Sequence, residues 1–356
     1  MALKIDHVSK KLGTFSLKDV SLEVAEGEYF VLLGPTGVGK TVLLEVVMGF
    51  HSPDNGRVLL NDRDITDVEV DKRGIVYIPQ NCPLFPHMNV FENVEFGLRM
   101  QRVSPASRKK AVEKMLEIMG LEKMTEVMPA TLSGGEKQKV VLARVLVTEP
   151  KVVLLDEPLT SIDAETSRSL RNELKRINHE FKVAFLHVTH DQIEAFSLAD
   201  KIAIMMEGKI VQTGAPNEVL SNPIDEPVAR FLGYENVLHV RLVKCEGDIS
   251  EVSVAGIPIK LKGKLESNAA TIAIRPEDLV ITTEAPTVSD EWNSLEGKVQ
   301  EYTNLGPLVE VTIDAGLMLK ISIDKRSFLE LNLIEGKHVH VSFKADSVRV
   351  VSLRQV

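Results

Sequence analysis

The stretch that decides the fold reads YFVLL followed by GPTGVGKT, residues 29–41. The apolar run Tyr29–Leu33 is typical of a strand buried on both faces of a parallel sheet. The residues after it match GxxxxGK[ST], a loop whose backbone N–H groups surround phosphate oxygens just before a helix begins. Helical spacing from Lys40 to Met48 supplies that helix. The segment therefore predicts a strand, a phosphate-binding loop and a helix, which is the start of a nucleotide-binding α/β sheet.

Two groups of side chains at this loop carry the expected chemistry. Lys40 is expected to neutralise the β- and γ-phosphates of ATP, and the Thr41 hydroxyl to ligate Mg²⁺. The apolar run at 152–155 ends in Asp156 and Glu157, and a parallel sheet would bring both strand ends to one edge. We expect Asp156 to hold Mg²⁺ and Glu157 to polarise the attacking water. The nucleotide-binding residues predicted in the loop are Gly34, Pro35, Thr36, Gly37, Val38, Gly39, Lys40 and Thr41.

The pattern of elements changes along the chain. From Lys151 to Met206 strands alternate with helices, which favours a mostly parallel sheet. Near residue 222 the sequence NPIDEP breaks the helical pattern. Beyond Asn236 short β-rich runs recur and no strong helix is expected, which indicates a small barrel or a pair of barrels with weakly repeated halves. We therefore predict an α/β P-loop NTPase domain at 1–233 and an all-β barrel domain at 234–356.

Composition excludes several classes of protein. The chain holds 42 Lys and Arg against 51 Asp and Glu, a net charge of −9, so the basic footprint of a nucleic-acid-binding protein is absent. The two cysteines, Cys82 and Cys245, are too few for a disulfide scaffold and lack metal-ligand spacing. No apolar run reaches the ~18 residues that a membrane helix needs. We expect a cytosolic chain that reaches a membrane only through a partner.

The sequence LSGGEKQ at 132–138 resembles the signature sequence of ABC-transporter ATPase subunits. Together with the loop at 34–41 and the carboxylates after the strand at 152–155, it makes residues 2–233 similar to that family. The resemblance implies catalytic roles for Gln80 and His190, a metal contact for Gln80, and a D-loop that begins at Ser161. The resemblance also implies that five further residues contact nucleotide: Ser133, Gly134, Gly135, Glu136 and Asp163.

The same resemblance implies a second copy of the chain or a close relative. In the family two copies pack head to tail, and the signature residues of one face the γ-phosphate bound by the other. One P-loop and one signature sequence therefore complete a site only in a dimer. The adenine-stacking aromatic of the family aligns here with Leu12, and Phe15 is the nearest aromatic side chain.

The C-terminal part resembles the accessory domains of importer ATPases. IAIRPED at 272–278 is similar to a segment of their barrels, and the stretches at 293–299, 327–331 and 343–348 resemble the molybdate-binding Mop domain. The resemblance implies the ATPase of a molybdate or tungstate importer at the cytoplasmic face of the membrane, working with a permease and an extracytoplasmic oxyanion-binding protein. Residues at positions that match an oxyanion site, where a bound anion would inhibit hydrolysis, are Asn293, Lys344 and Ser347.

Other functions stay open beside this one. The chain could serve an importer for another solute, with sulfate first and sugar, polyamine or iron after it, and carry a purely structural C-terminal domain. A soluble ABC ATPase acting on nucleic acid would usually have two ATPase halves or a long coiled-coil insertion, and neither is present. An oxyanion store built from the β domain alone would not need the ATPase site.

A further segment, 81–100, is predicted to form a groove for a short cytoplasmic helix of the permease, as the resemblance implies. Its apolar residues lack the regular polarity of ordinary surface, and the alternative is local core packing. The residues concerned are Leu84, Phe85, Met88, Val90 and Phe91.

Overall fold

The computed structural model describes residues 1–160, 162–285 and 291–354. Ser161, predicted to begin the D-loop, lies outside the described residues. Within the described part of the chain, no helix is long and apolar enough to cross a membrane.

Two compact units make up the chain, Met1–Asn217 and Glu218–Val356. This division comes earlier than the boundary predicted between residues 233 and 234. The reason is local, because the helix at Glu226–Phe231 packs against strands of the second unit. The ring of Tyr234 likewise lies 4.7 Å from the Arg275 guanidinium of that unit.

The first unit contains two sheets. An antiparallel sheet has, in spatial order, the strands β2 (Phe15–Val24), β1 (Leu3–Leu12), β4 (Asn55–Leu60) and β5 (Arg63–Asp64). A larger sheet has, in spatial order, the strands β10 (Lys209–Gly214), β9 (Lys201–Met206), β3 (Tyr29–Leu33), β8 (Ala184–Thr189), β7 (Val152–Asp156) and β6 (Ile75–Ile78). Strands β9, β3, β8, β7 and β6 run parallel, and β10 is antiparallel to β9.

Helices connect the strands of the larger sheet, as the alternating pattern predicts. They are α1 (Lys40–Met48), α2 (Val90–Met100), α3 (Pro105–Ile118), α4 (Gly134–Leu146), α5 (Ala164–Phe181) and α6 (Gln192–Leu198), and α7 (Pro216–Ser221) spans the boundary between the units. Every residue of β3 and β7 is buried. The core therefore lies on both faces of the central strands, and the loops at their carboxyl ends are left to carry polar side chains.

The second unit is built mainly from strands. Its elements are α8 (Glu226–Phe231), β11 (Asn236–Glu246), β12 (Ile249–Val254), β13 (Ile257–Lys262), β14 (Ala269–Ile274), β15 (Val280–Thr282), β16 (Trp292–Asn304), β17 (Leu308–Asp314), β18 (Met318–Asp324), α9 (Lys325–Glu330), β19 (His338–Lys344) and β20 (Arg349–Arg354). Helix α9 is short and stands where no strong helix is expected. Asp324 makes it possible, because its carboxylate accepts the Ser327 N–H at 2.9 Å and caps the first turn.

The strands of the second unit form two five-stranded antiparallel sheets, β13-β12-β11-β14-β20 and β15-β19-β16-β17-β18. The order of β13-β12-β11-β14 is repeated by β18-β17-β16-β19. The last strand of each half pairs with the sheet of the other half, since β15 joins β19 and β20 joins β14. Because of this exchange, the two halves share one core, which includes Val252, Ile272 and Val341.

Candidate active site at the carboxyl edge of the parallel sheet

Four segments that are distant in sequence end at one edge of the large sheet. The strands β3, β8, β7 and β6 are neighbours and parallel, so their carboxyl ends lie side by side. The phosphate-binding loop follows β3, His190 follows β8, Asp156 ends β7 and Gln80 follows β6. In open α/β sheets this carboxyl edge is where ligands bind.

The loop at 34–41 turns directly into α1. Gly39 caps this helix with a φ of 100°, a left-handed conformation that favours glycine. A Cβ placed on Gly39 would lie 2.0 Å from the Phe15 ring, so the close approach also requires glycine. The N–H groups of the first helical turn have no partner within the helix and can bind phosphate oxygens. Phe15, the aromatic side chain nearest in sequence to the adenine-stacking position, thus lies against the phosphate loop.

Lys40 is buried and its ammonium is held on carbonyl oxygens. Its Nζ donates to the Gly34 and Pro35 carbonyls, each at 2.8 Å, and makes no ion pair among the described residues. Burial lowers the pKa of Lys40, although the carboxylates of Glu157 and Asp156 oppose this shift. A buried cation that is bonded only to neutral groups is favourably placed for an anionic ligand. This supports the predicted role of Lys40 at a phosphate.

Asp156 is buried at the end of β7 and accepts two hydroxyl bonds. The Thr41 hydroxyl donates at 3.1 Å and the Tyr77 hydroxyl at 3.0 Å. Burial raises the pKa of Asp156, and the two hydrogen bonds offset part of that rise. Thr41 and Asp156 together present oxygen ligands of the kind that Mg²⁺ prefers. Tyr77 was not predicted, because it lies on β6 and only the pairing of β6 with β7 brings it to this carboxylate.

Glu157 is the centre at which the predicted catalytic side chains meet. His190 Nδ1 lies 2.9 Å from one carboxylate oxygen, and Gln80 Nε2 donates to the other at 3.3 Å. The Thr160 hydroxyl, which sequence reasoning missed, donates to the same carboxylate at 3.1 Å. Glu157 has a φ of 45°, unusual for a residue other than glycine, and its N–H is fixed by the Val188 carbonyl at 2.9 Å. Uncommon backbone conformations of this kind cluster at functional sites.

The predicted signature sequence begins α4. Ser133 caps the helix, and Glu136 closes a capping box by accepting the Ser133 N–H at 2.8 Å. A Cβ on Gly135 would lie 2.5 Å from the Thr166 methyl, whereas one on Gly134 would meet nothing within 4 Å. The signature turn therefore packs on α5 with one side and leaves the other side open.

Two contacts connect α4 to the segment between β7 and α5. Asp163, predicted to contact nucleotide, caps α5 by accepting the Thr166 N–H at 2.9 Å, and Thr166 is the residue against Gly135. Gln138 on α4 donates to the Pro158 carbonyl at 3.0 Å, one residue after Glu157. Helix α4 is therefore joined by a hydrogen bond to the residue that follows Glu157.

The segment 81–100 holds both buried and accessible apolar residues. Val90 is fully buried and Leu84 is 9% exposed, so these two pack in the core. Phe85, Met88 and Phe91 are half-buried and remain candidates for a groove. The conformation of the loop is set by a buried amide that was not predicted, Asn93, which bonds to the backbone of Phe85, Met88 and Asn89.

Asn293, predicted to contact an oxyanion, forms a link between strands. Its amide donates to the Lys260 carbonyl at 2.9 Å and accepts the Lys260 N–H at 2.7 Å. Asn236 makes the same pair of bonds to Lys320 in the other half of the unit. The repeated arrangement shows that this amide helps to join the two sheets.

Lys344 and Ser347 lie beside two cavities. The Ser347 hydroxyl donates to the Lys344 carbonyl at 2.8 Å, and Lys344 Nζ lies 5.7 Å from the Trp292 ring centre. One cavity, of about 360 Å³, has Lys344 and the carboxylates of Glu291 and Asp346 in its wall. The other, of about 410 Å³, contains both Lys344 and Ser347. Both walls contain carboxylates as well as cations, so an anion there needs additional donors.

The phosphate loop, the paired carboxylates and the Gln and His side chains that meet them define a P-loop ATPase. The family profile described as ABC transporter matches residues 17–160, and the profile described as TOBE domain matches residues 272–351. The chain belongs to the ABC-transporter family of ATP-binding subunits.

Relatives extend this similarity over nearly the whole chain. The molybdate/tungstate import ATP-binding protein WtpC of Pyrococcus abyssi is 42% identical over 351 residues, 98% of this chain and 99% of that protein. The sulfate/thiosulfate import ATP-binding protein CysA of Bacillus cereus is 38% identical and covers 97% of each chain. Among solved structures, CbiO1 of Clostridium perfringens, part of an ABC transporter complex, matches with a TM-score of 0.58 at 28% identity, over 61% of this chain and 90% of that one.

Proposed function

We propose that this ATPase powers the import of molybdate or tungstate through a membrane permease. The observation that carries the proposal is the 42% identity to a molybdate/tungstate import protein across 98% of this chain, both units included. The runner-up is import of sulfate, because a sulfate/thiosulfate import protein is 38% identical over 97% of the chain. In either case the chain would lie at the cytoplasmic face of the membrane and receive solute from an extracytoplasmic binding protein.

The residues of the site divide the work of hydrolysis. Lys40 and the N–H groups of the phosphate loop bind the β- and γ-phosphates of ATP. Thr41 and Asp156, with Gln80 nearby, would hold Mg²⁺, which neutralises phosphate charge when bound. Glu157 accepts a proton from the attacking water, while His190 and Thr160 hold its carboxylate in place.

The partner that completes the site is a second copy of the chain. Each copy has one phosphate loop and one signature turn, and the open side of Gly134 leaves room for a γ-phosphate at the start of α4. In a head-to-tail dimer, Ser133, Gly135 and Glu136 of one copy would lie opposite Lys40 of the other. Asp163, at the start of α5, would lie in the same interface.

The first prediction tests coupling to the permease through Phe85. Phe85 is half-buried, with its ring 4.6 Å from Phe96 and 5.0 Å from the Arg144 guanidinium. We expect Phe85→Asp to abolish tungstate uptake, because a carboxylate would replace apolar contact with the permease. ATP binding should persist, since the new carboxylate can pair with Arg144. The measurement is uptake into vesicles that contain the permease, the binding protein and ATP, compared among tungstate, molybdate and sulfate.

The matched control is Leu329→Asp, the same kind of change at a side chain that is 65% exposed in α9. It should transport normally. Normal tungstate uptake by Phe85→Asp would remove Phe85 from the permease contact. Uptake of sulfate in preference to tungstate by the unaltered complex would replace the proposed solute with the runner-up.

The second prediction concerns the TOBE region, where we propose that the imported anion binds and inhibits hydrolysis. The cavities beside Lys344 and Ser347 are lined partly by carboxylates, which repel an anion. A site formed between two chains, with donors from both, would supply the donors that a dianion needs. Tungstate or molybdate bound there would stabilise the dimer state for which it has the higher affinity, and ATP turnover falls if that state is the open one. Sulfate, which is smaller, should inhibit less.

The measurement is ATP turnover of the assembled transporter across a tungstate titration. Lys344→Ala combined with Ser347→Ala should remove the inhibition, and Asn293→Ala should weaken it. Lys298→Ala, at an exposed lysine of β16, is the control and should keep it. A flat titration of the unaltered complex would leave the second unit with a structural role only.

A further inference from the structure

Three buried polar side chains lie behind the loop that carries His190. They are Tyr29 on β3, His187 on β8 and Glu194 on α6, and none is more than 5% exposed. The Tyr29 hydroxyl lies 2.9 Å from His187 Nδ1, and His187 Nε2 lies 3.3 Å from Glu194 Oε2. By hydrogen-bond geometry, neither His187 Nε2 nor Glu194 Oε2 has a partner among the described residues, and their 3.3 Å approach is a close polar contact. Burying a carboxylate costs folding free energy unless it is paired, so the position of Glu194 beside His187 is the pairing that its burial needs.

Glu194 joins the first turn of α6 to the end of β8. His187 and Thr189 are two residues apart on a strand, so both side chains point to the same face of the sheet. The Glu194 carboxylate contacts both of them. The Asp191 side chain accepts the Glu194 N–H at 3.1 Å, and the Thr189 hydroxyl accepts the Asp191 N–H at 3.0 Å. The two-residue connection between β8 and α6 is therefore fixed at both ends.

The proton arrangement of the cluster favours a charged Glu194. Burial alone would raise the pKa of Glu194, but hydrogen bonding with His187 and Thr189 holds it below its usual value. An imidazole with its proton on Nε2 can accept the Tyr29 hydroxyl proton at Nδ1 and present an N–H to Glu194. This arrangement of protons gives Tyr29 and His187 a hydrogen bond and turns the Nε2 proton of His187 toward the Glu194 carboxylate.

We propose that Glu194, oriented by His187 and Tyr29, is a positioning residue for His190. His190 stands in the short connection that Glu194 fixes, and its Nδ1 must reach the Glu157 carboxylate 2.9 Å away. The phosphate loop follows β3 and not β8, and among the described residues no hydrogen bond or ion pair joins Glu194 to that loop. Loss of Glu194 should therefore impair the chemical step and leave ATP binding intact. The proposal concerns ATP hydrolysis and does not depend on which solute is imported.

The experiment compares Glu194→Ala and Glu194→Gln in the full-length chain. Removing one positioning contact should lower kcat by about 10-fold, or ~1.4 kcal/mol, and change the KM for ATP less than about 2-fold. Glu194→Gln should recover most of the rate, because its amide oxygen can still accept from His187 and Thr189. Unchanged kcat in Glu194→Ala would overturn the proposal, and so would an equal loss in both variants.

A double-mutant cycle separates positioning from general stability. In a His190→Ala background, followed by single-turnover measurement of residual hydrolysis, Glu194→Ala should cause no further loss. A full additional loss would show that Glu194 acts by another route. Asn178→Ala is the stability control, since Asn178 is buried near the start of β8 and bonds to the Gly27 and Val183 carbonyls. It should lower Tm and leave kcat unchanged.

Tyr29→Phe tests the same network if Glu194→Ala does not fold. The change removes only the hydroxyl that orients His187 and keeps the buried ring. We expect kcat to fall about 3-fold with an unchanged KM for ATP. A kcat equal to that of the unaltered chain would overturn the role of the cluster.

Discussion

Glu157→Gln is expected to retain ATP binding and to lose nearly all hydrolysis. The amide keeps the size of the side chain and can still bond to His190 and Thr160, but it cannot accept a proton from water. Loss of a general base lowers the rate by about 10²- to 10⁴-fold. ATP then remains bound, so the variant should also favour the closed dimer. Single-turnover hydrolysis, with nucleotide affinity measured on the same sample, provides the test.

Glu149→Gln is the matched control for this change. Glu149 also has a left-handed backbone, with a φ of 51°, and its side chain is exposed outside the site. The substitution should leave turnover unchanged. Hydrolysis at the normal rate by Glu157→Gln would show that the general base lies elsewhere.

The parts of the site that are predictable from sequence are those encoded locally. The phosphate loop and the carboxylates at 156 and 157 each follow a short apolar run, so strand, turn and ligand are adjacent in the chain. The helical spacing of residues 40–48 predicts the first helix, and the structure has that helix with the same bounds, Lys40–Met48. Gln80 and His190 lack such a local signal, and only the family resemblance identified them. The structure then brings both to Glu157.

Residues that depend on strand pairing were not predictable. Tyr77 reaches Asp156 only because β6 lies next to β7, and Glu194 reaches His187 only because α6 packs on that part of the sheet. The same limit applies in the second unit. The exchange of β15 and β20 between halves joins strands that are far apart in sequence, and short β-rich runs do not reveal which strands pair.

Unlike Glu157→Gln, which should retain ATP binding, a substitution of Lys40 should remove tight ATP binding. Among the described residues its ammonium donates to the Gly34 and Pro35 carbonyls and forms no ion pair, so the phosphates of ATP would be its first anionic partners. Losing a buried charge-assisted contact of this kind costs about 2–5 kcal/mol. We therefore expect Lys40→Ala to raise the Kd for ATP by roughly 30-fold or more, with about 1.4 kcal/mol for each factor of ten. Equilibrium titration with ATP measures this directly.

Lys40→Met separates the charge from the packing of the side chain. Methionine keeps most of the buried apolar stem, so a Kd as high as that of the alanine variant would assign the loss to the ammonium. The pH dependence gives an independent check. Burial lowers the pKa of Lys40, so the charge is lost as pH rises through a value below the ordinary lysine range. ATP affinity of the unaltered chain should weaken over that interval, and affinity of the Lys40→Met variant should not follow it. Parallel pH profiles for the two proteins would contradict the assignment of Lys40 as the phosphate-binding cation.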